Sequence, residues 1–392
     1  MKQVGNTILA KGGNHILAKR DNSAWPKGSK LSGFSSSGGG ERFVVDLCNE
    51  LSKEHDVTLM VLHSLDKVDF YLKEVSNNVR VVSMNKRMGL DIGLLFRVYR
   101  YIRREKPDVV HTHLRAIMYI AFAIMRKNGV MYCHTVHSAA DKEAGGFFIS
   151  SGMRKFCFHR GWITPITISA ESLHSFRKYY GMDAPMIFNG RNVDAGMLVS
   201  DEVKEQFKQY RHTNKTRVLI SLARIDPVKR QTLLARVVMR LKREGYDLTV
   251  LFIGGERDAQ MTAELRSYND EAIQLLGELH NPLEYLKMGD AYALCSSYEG
   301  MPISLIEAIG VGCIPVCTPV GGIVDVVHNG ENGFLSDGIG EESYYKTVKR
   351  FLSLTDVQLK DMKQKALATY GPFSMYECAR NYVKLFEKGI KK

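Results

Sequence analysis

Short apolar, β-branched runs alternate with segments of helical period along most of the chain. The strand-like runs are DVTLMVLHS, VRVVSM, DVVHTHL, VMYCHTVHS and PITIS in the first half, and RVLISLARID, LTVLFIGG, AIQLLGEL, AYALCSS and CIPVCTPVGG in the second. This alternation is typical of parallel α/β folds. With 392 residues, the chain also exceeds the size at which single cores usually stop growing. The pattern predicts two Rossmann-like units joined near residues 190–200.

The first 35 residues depart from this regular alternation. Residues 5–11 (GNTILAK) nearly recur at 13–19 (GNHILAK), an echo too short for a solenoid and more typical of a hairpin or a frayed tail. A doubly wound domain needs an apolar first strand before its glycine loop, yet WPKGSKLSGFSSSGGGER is mostly polar. Either one ILA segment supplies that strand through a long connection, or the domain has only a weakly apolar first strand.

Basic charge is concentrated in the first half of the chain. Residues 1–200 contain 28 Lys and Arg against 17 Asp and Glu, whereas residues 201–392 contain 26 against 25. A basic face attracts nucleic acid, anionic lipid head groups or phosphorylated substrates. No recognition-helix motif and no aromatic RNA-binding strand accompanies the charge, so we expect no nucleic-acid partner.

The segment LLFRVYRYIRREK carries part of this charge. It places three arginines at helical spacing and four apolar residues on another face: Arg97, Arg100 and Arg104, and Leu94, Leu95, Val98 and Ile102. Two interpretations stay open. The segment is an exposed amphipathic helix packed on the sheet, or it lies on an anionic membrane surface. In the second case other basic residues would assist, namely Arg103, Lys106, Arg154, Lys155 and Arg160.

The compartment is inferred from hydropathy and cysteine usage. The longest strongly apolar run, AIMYIAFAIM, is about half of the ~20 residues that a bilayer crossing needs, and the N-terminus builds no apolar signal-peptide core. The seven cysteines are scattered and form no CxxC pair, which fits reduced thiols better than disulfides or a zinc site. We expect a cytoplasmic protein whose membrane contact would be peripheral, on the inner face.

The stretch YEGMPISLIEAIGVGCIPVCTPVGG, from residue 298, combines two carboxylates with a helix start. Pro302 suits the first turn of a helix, and Gly310 and Gly312 suit its end. Glu299 then lies in the loop before the helix, and Glu307 lies inside it.

A helix start at this position predicts an anion site. The unpaired backbone N–H groups and the positive end of the helix dipole favour an anion over the residues from Met301 to Ser304. At about 1.5 Å rise per residue, Glu307 lies roughly 7 to 8 Å beyond Pro302, which is about the reach from a diphosphate to a ribose. A carboxylate there can accept hydrogen bonds from vicinal hydroxyls, and Glu299 would face whatever else the diphosphate carries. A nucleotide-diphosphate sugar fits this order of groups.

Two cations support the same ligand. Arg224 and Lys229, in SLARIDPVKRQ, follow the end of a strand, where ligands of open α/β sheets bind. Together with the helix start they can stabilise a departing diphosphate. No Asp-x-Asp motif occurs in a metal-bridging context, so we expect neither a metal nor a cofactor.

The run from Glu299 to Glu307 resembles the E-x7-E motif of retaining family 4 glycosyltransferases of the GT-B fold. CIPVCTPVGGIVDVVHNGENGFL is similar to the continuation of that motif, ARIDPVK to the phosphate-gripping R-x4-K segment, and GELHNPLEYLKMGDAYALCSSYEG to the base-pocket region. SSSGGGERFVVDLCNEL, PDVVHTHL, HTVHS and MIFNGRNVD also fall in family order. The resemblance covers roughly residues 36–390.

The resemblance implies a role for each matching residue. Glu299 would contact the sugar hydroxyls, Glu307 the ribose, and Arg224 with Lys229 the diphosphate. Gly277 and Leu279 would lie near the base, Gly39 and Gly40 would approach the donor phosphate or the acceptor, and His137 would project near the donor sugar. The implied donor-binding segment around the helix start consists of Glu299, Gly300, Met301, Pro302, Ile303, Ser304 and Glu307. From the residues alone, His137 could equally be a strand-end histidine, and His111 and His113 could serve packing or support.

The resemblance also implies an α/β architecture of the GT-B type, with two Rossmann-like domains whose parallel sheets face across a cleft. An acceptor-binding domain would span residues 1–195, with 1–35 irregular, and a nucleotide-sugar domain 196–372. Residues 373–392 would form a helix that returns to the first domain.

The expected reaction is metal-independent, retaining sugar transfer to a glycan or lipid-linked acceptor in surface polysaccharide synthesis. The leaving phosphate oxygen would help deprotonate the acceptor hydroxyl while the enzyme stabilises the phosphate charge. Two alternatives stay open. One is a same-fold nucleotide-sugar epimerase or hydrolase, and the other is a non-catalytic protein that binds nucleotide sugars.

Overall fold

The computed structural model describes residues 6–11, 39–62, 73–87, 91–126, 129–144 and 148–390. The chain divides into two compact units. The first consists of Met1–Ile166, Tyr179–Pro185 and Ala379–Lys392, and the second of Thr167–Lys178 and Met186–Cys378. The domain limits drawn from the sequence remain a prediction.

The first unit is built on a sheet with the strand order β3-β2-β1-β4-β5-β6. Its strands are β1 (Asn6–Lys11), β2 (Asp56–Val61), β3 (Val79–Ser83), β4 (Val109–His113), β5 (Met131–Val136) and β6 (Thr164–Thr167). The helices that accompany them are α1 (Gly39–Leu51), α2 (Ile92–Glu105), α3 (Ala121–Ile124), α4 (Ala140–Ala144) and α5 (Phe148–His159). A 3₁₀ helix, Leu114–Ile120, leads into α3, and the chain continues beyond β6 into α6 (Ala170–Tyr180).

Strand β1 departs from the parallel arrangement of its sheet. It pairs antiparallel with β2 on one side and with β4 on the other, whereas β2 with β3 and β4 with β5 are parallel. The first ILA segment therefore forms a central strand at a long sequence distance from α1, as one of the two sequence interpretations expected. The second copy of the repeat, at 13–19, lies outside the described residues.

The second unit is built on a sheet with the order β12-β11-β10-β7-β8-β9, and its described strand pairs are parallel. Its strands are β7 (Arg217–Leu222), β8 (Leu248–Ile253), β9 (Ile273–Gly277), β10 (Ala291–Leu294), β11 (Ile314–Cys317) and β12 (Phe334–Leu335). The order reverses between β7 and β10, because β8 and β9 lie on one side of β7 and the later strands on the other. Ligands of open α/β sheets bind at such a reversal, outside the carboxyl ends of the strands.

Helices cover the second sheet. They are α7 (Asp201–Lys208), α8 (Gln231–Arg243), α9 (Ala259–Ser267), α10 (Pro282–Met288), α11 (Ile303–Gly310), α12 (Glu341–Leu352) and α13 (Asp356–Ala368). The last helix, α14 (Met375–Ile390), begins in the second unit and continues in residues assigned to the first. Every residue of β8, β10 and β11 is buried, as expected for parallel strands covered on both faces.

The cysteines behave as core side chains. All seven are unbonded and buried, which confirms the expectation of free thiols. Burial raises the pKa of Cys295 and of Cys313 to about 12, so these two thiols are protonated near neutral pH.

Helix α2 is amphipathic, as its sequence predicts. Its buried face consists of Leu94, Val98, Tyr101 and Ile102, and Arg100, Arg103 and Arg104 are exposed. Arg97 is half-buried and donates from Nη2 to Oδ2 of Asp91 over 2.7 Å. Asp91 in turn caps the helix by accepting from the Leu94 N–H over 3.1 Å.

One basic residue that the membrane interpretation of the sequence would place at the surface is buried. Arg154 is only 2% exposed, and its Nη1 lies 3.2 Å from Oε1 of Glu143. A buried guanidinium with a carboxylate partner is a structural ion pair, so Arg154 does not belong to a membrane-facing surface.

Within the described ranges, no helix is both long enough and apolar enough to span a membrane.

Candidate active site

The start of α11 is flanked by a buried carboxylate that a lysine holds. Glu299 lies in the loop between β10 and α11 and is 8% exposed. Its Oε1 accepts from Lys229 Nζ and from Ser296 Oγ, each over 2.6 Å. The Lys229 side chain, on the loop after β7, keeps 21% of its surface exposed. The carboxylate is thus compensated and oriented by a lysine whose side chain is not fully buried.

The first turn of α11 offers backbone donors. Pro302 is the N-cap, and it supplies no side-chain hydrogen bond to the helix. In an α-helix the N–H groups of the first residues, here Ile303 and Ser304, have no partner four residues earlier. The Ser304 hydroxyl is 2.7 Å from the Tyr292 hydroxyl, and this hydrogen bond orients the Ser304 side chain within the unit.

Two glycines pack directly against the loop that precedes α11. Gly321 has φ +60°, and a Cβ on it would overlap the carbonyl of Glu299. A Cβ on Gly322 would lie 2.8 Å from the Gly300 oxygen, which already accepts from the Gly322 N–H over 2.5 Å. Glu171 accepts from the Gly321 N–H. Only glycine fits this backbone contact, which fixes the position of Glu299 and Gly300.

Glu307, inside α11, is held by an arginine that the sequence analysis did not identify. Arg191 donates from Nε to Glu307 Oε1 over 2.7 Å, and both side chains are largely buried. Two residues earlier, Asn189 donates from Nδ2 to the Met301 carbonyl over 3.3 Å. The two residues belong to MIFNGRNVD, a segment that resembles the family but carries no local signal for a contact 116 positions away.

The loop after β7 also carries Arg224, whose backbone is tied to neighbouring elements. Gln231 donates from Nε2 to the Arg224 carbonyl over 2.6 Å, and a Cβ on Gly254 would lie 3.0 Å from the Arg224 nitrogen. The Gly254 N–H donates to the Gly277 carbonyl over 2.7 Å. Gly277 has φ +67°, and the half-buried Leu279 follows it. The structure thus brings the Arg224 loop and the end of β9 together at one edge of the sheet.

The remaining predicted site residues belong to the first unit. Gly39 and Gly40 are the first residues of α1, and a Cβ on Gly40 would make only ordinary contacts with Leu114. His137 directly follows β5 and is partly exposed. The Phe43 ring, also on α1, contacts the His137 ring edge-on at a centroid distance of 5.7 Å.

His137 is positioned by two neighbours. Its Nε2 lies 2.9 Å from Nδ1 of His113, so one imidazole donates to the other. Its backbone N–H donates to Oε2 of Glu143 over 2.6 Å, and Oε1 of Glu143 lies 2.9 Å from Nε2 of His134. His113 therefore supports His137. Of the two roles left open for His113, packing and support, this agrees with support.

The histidines of this cluster are neutral near pH 7. Burial lowers the pKa of His137 to about 4, against the opposing effect of the Glu143 carboxylate. Burial also lowers the pKa of His111 and His113 well below the usual value, and neighbouring histidines add to the effect. Burial acts to raise the pKa of Glu143, but the hydrogen bond from His134 and the positive charge of Arg154 outweigh it and lower that pKa to about 2. Neutral imidazoles can accept or donate a hydrogen bond without adding positive charge.

In the part of the chain that the structure describes, no group of three or more His, Cys, Asp or Glu side chains is arranged to hold a metal ion.

Comparison with known proteins identifies the family. A family model described as Glycosyltransferase Family 4 matches residues 37–220, and one described as Glycosyl transferases group 1 matches residues 202–369. The chain belongs to these glycosyltransferases. The two matched ranges together contain every predicted site residue.

The solved structures establish the GT-B fold predicted from the sequence. The Anabaena protein HepE, solved in complex with UDP, superposes with a TM-score of 0.75 at 16% identity over 91% of this chain and 98% of that one. At this identity the likeness concerns the fold alone.

Two curated relatives illustrate the sequence similarity of this glycosyltransferase. A Campylobacter jejuni enzyme named N-acetylgalactosamine-N,N'-diacetylbacillosaminyl-diphospho-undecaprenol 4-alpha-N-acetylgalactosaminyltransferase is 30% identical over 173 residues. That match spans 43% of this chain and 46% of the relative, less than half of each. The N-acetyl-alpha-D-glucosaminyl L-malate synthase of Bacillus anthracis is 23% identical over 78% of this chain and 82% of its own length.

The glycine contact yields a first prediction. Gly321→Ala should lower the melting temperature, because the alanine needs a left-handed backbone, at a cost of about 1–2 kcal/mol, and its Cβ meets the Glu299 carbonyl. Gly338→Ala is the matched control, since Gly338 has no atom within 4 Å of a built Cβ and no positive φ. Thermal unfolding followed by circular dichroism measures both. Equal melting temperatures for the two variants would contradict the backbone contact.

Proposed function

We propose that this glycosyltransferase moves a sugar from a nucleotide-diphosphate sugar to a glycan or lipid-linked acceptor with retention of configuration, without a metal or cofactor. The observation that carries the proposal is the pairing of Lys229 with Glu299 over 2.6 Å beside the start of α11. This arrangement puts a cation, free backbone donors and an oriented carboxylate at one sheet edge. These groups can bind a diphosphate that carries a polyhydroxylated group such as a sugar.

The diphosphate is the proposed occupant of the helix start. Its oxygens would accept from the backbone of Ile303 and Ser304, and Lys229 and Arg224 would supply positive charge. Lys229 would exchange its contact with Glu299 for the phosphate, which leaves the Glu299 carboxylate available to a sugar hydroxyl. Glu307, one and a half turns further along, would accept from the ribose.

In this proposal, the enzyme promotes formation of the new sugar–acceptor bond by stabilising the charge on the departing phosphate. The sugar–phosphate bond breaks, the acceptor oxygen bonds to the sugar carbon on the face that the phosphate leaves, and the acceptor proton passes to the departing phosphate oxygen. Lys229 and Arg224 stabilise the charge that develops on that phosphate, a contribution that usually dominates such catalysis. His137, being neutral, would donate or accept a hydrogen bond near the sugar, and Gly39 and Gly40 would let the acceptor or phosphate approach α1.

The donor and acceptor classes are supported by the relatives. HepE was solved with UDP, and the names of the two curated relatives contain a diphospho-undecaprenol sugar and L-malate. We infer a UDP-sugar donor and a lipid-linked glycan acceptor, as in surface polysaccharide synthesis at the inner face of the membrane. A small hydroxy acid is the acceptor to be compared with it.

The test is UDP release from a panel of UDP-sugars, with and without each acceptor. Release should require an acceptor, and NMR of the product should show the anomeric configuration of the donor. Glu299→Gln should lower turnover by about 10²–10³-fold, the usual cost of removing one oriented polar group from such a site. Glu331→Gln, which removes a carboxylate that is 70% exposed, should leave turnover unchanged.

Each alternative function has its own signature in the same assay. Release of free sugar, or its epimerisation, at the full rate without an acceptor would favour the epimerase or hydrolase. Nucleotide-sugar binding without any turnover would favour the non-catalytic binding protein.

A peripheral membrane contact is proposed for the first unit. The surface formed by α2 and α3, here the α2–α3 surface, exposes Ile92, Phe96 and Met125 by 60%, 51% and 59%. Phe96 contacts Phe122 on α3, and the Arg126 guanidinium lies over the Phe122 ring. Exposed apolar side chains next to Arg100, Arg103 and Arg104 complement the acyl boundary and the charge of an anionic membrane.

Vesicle binding tests the α2–α3 surface. The protein should sediment with vesicles containing phosphatidylglycerol and much less with phosphatidylcholine alone. Arg100→Gln combined with Arg103→Gln should weaken binding roughly 30-fold, since each basic residue near the surface contributes about 1 kcal/mol. Lys204→Gln with Lys208→Gln removes the same charge from α7 and should not change binding. An equal loss of vesicle binding in both double variants would contradict binding through the α2–α3 surface.

A further inference from the structure

The segment Asn189–Arg191 holds α11 at both sides of its start. Asn189 donates to the Met301 carbonyl just before the helix, and Arg191 donates to Glu307 within it. Asn189 is 4% exposed, and its Oδ1 has no hydrogen-bond partner in the described part of the chain. The segment therefore fixes the distance between the loop and the carboxylate from outside the helix.

The backbone of Arg191 is itself anchored. Its N–H donates to the Phe373 carbonyl over 3.1 Å, and its carbonyl accepts from the Met375 N–H over 3.2 Å and from the Tyr370 hydroxyl over 2.6 Å. A Cβ on Gly190 would lie 2.7 Å from the Ser374 oxygen, so the two backbones are in close contact. Arg191 is thus presented to Glu307 from a rigid support.

The charge of Arg191 determines what Glu307 can do. A carboxylate that is 8% exposed is costly to bury unless it is paired, and without its partner it would turn away from this position. A carboxylate offers about four acceptor positions, so Glu307 can bind Arg191 and still accept from vicinal hydroxyls. A carboxylate whose direction is fixed in this way can distinguish a nucleotide that has a ribose hydroxyl from one that lacks it.

We propose that Arg191 is a positioning residue that gives the site its selectivity for ribonucleotides over 2′-deoxyribonucleotides, acting through Glu307. This inference rests on the proposed function, because it assumes that Glu307 faces a ribose. Arg191 does not contact the diphosphate in this account. Replacing Arg191 should therefore weaken the contribution of the ribose to nucleotide binding and leave the contribution of the other contacts unchanged.

The test compares the dissociation constants of UDP and 2′-deoxy-UDP by titration calorimetry. Wild type should bind UDP about tenfold more tightly than 2′-deoxy-UDP, the effect expected for losing a hydrogen bond to a charged group. Arg191→Gln should weaken UDP about tenfold, leave 2′-deoxy-UDP within about threefold, and bring the ratio close to one. Arg191→Lys, which keeps the charge, should recover part of the ratio and also serves if Arg191→Gln does not fold.

Two controls separate positioning from a purely structural role. Arg211→Gln breaks another arginine–carboxylate pair of the same unit, the 2.9 Å contact with Asp290, and should lower stability without changing the nucleotide ratio. The Arg191→Gln, Glu307→Gln double variant should bind UDP no more weakly than Glu307→Gln, because the two residues act on one contact.

The outcomes distinguish this inference from the proposed function. If Glu307→Gln abolishes the ratio while Arg191→Gln and Arg191→Lys preserve it, the inference is wrong and the proposed function stands. An equal weakening of both nucleotides by Arg191→Gln would also overturn it. If wild type binds neither nucleotide, both the UDP assignment and the inference fail.

Discussion

Two buried carboxylates, one on each side of the start of α11, determine how the second unit is built around its candidate site. An ionised carboxylate removed from water needs a charged partner and hydrogen bonds, and breaking such a pair typically costs about 3–5 kcal/mol. Glu299 obtains its partner from the loop after β7, and Glu307 obtains its partner from the segment that precedes α7. Both loops must therefore converge on one short helix.

This convergence explains why the surrounding backbone is so restricted. Gly321 and Gly322 approach the Glu299–Gly300 carbonyls more closely than any side chain allows, and Gly254 approaches the Arg224 loop in the same way. The first unit holds its candidate side chain in a different way. Its candidate group, His137, is kept neutral by burial and held by His113 and the Glu143 carboxylate. Among the candidate site residues, Lys229 and Arg224 of the second unit therefore supply the positive charge that the proposed release of a diphosphate requires.

Most of the fold could be predicted from the sequence, because each strand from β2 to β11 is a local apolar run and helices such as α1 and α2 have a local periodic pattern. The antiparallel direction of β1 could not, since it depends on a pairing with residues about 50 and 100 positions later in the chain. The helix start at Pro302 follows from local residue types, whereas the reversal point of the sheet is known only from the strand order in the structure. Arg154 was misplaced because charge alone does not reveal burial, and its partner, Glu143, lies on a different helix.

The candidate site could be predicted less completely than the fold. Glu299, Lys229 and Glu307 stand in motifs whose spacing is visible, whereas their supports come from distant segments. Arg191 and Ser296 are ordinary surface residue types by sequence, and only tertiary structure places them on a carboxylate. The glycine pair at 321 and 322 was visible as a motif, but the carbonyls it packs against were not.

The most direct test of the central claim is a crystal structure of the chain with UDP bound. The account predicts diphosphate oxygens about 2.7–3.2 Å from the backbone nitrogens of Ile303 or Ser304 and from Lys229 Nζ, with a ribose hydroxyl on Glu307. A diphosphate bound away from the start of α11, with Lys229 still on Glu299, would contradict it.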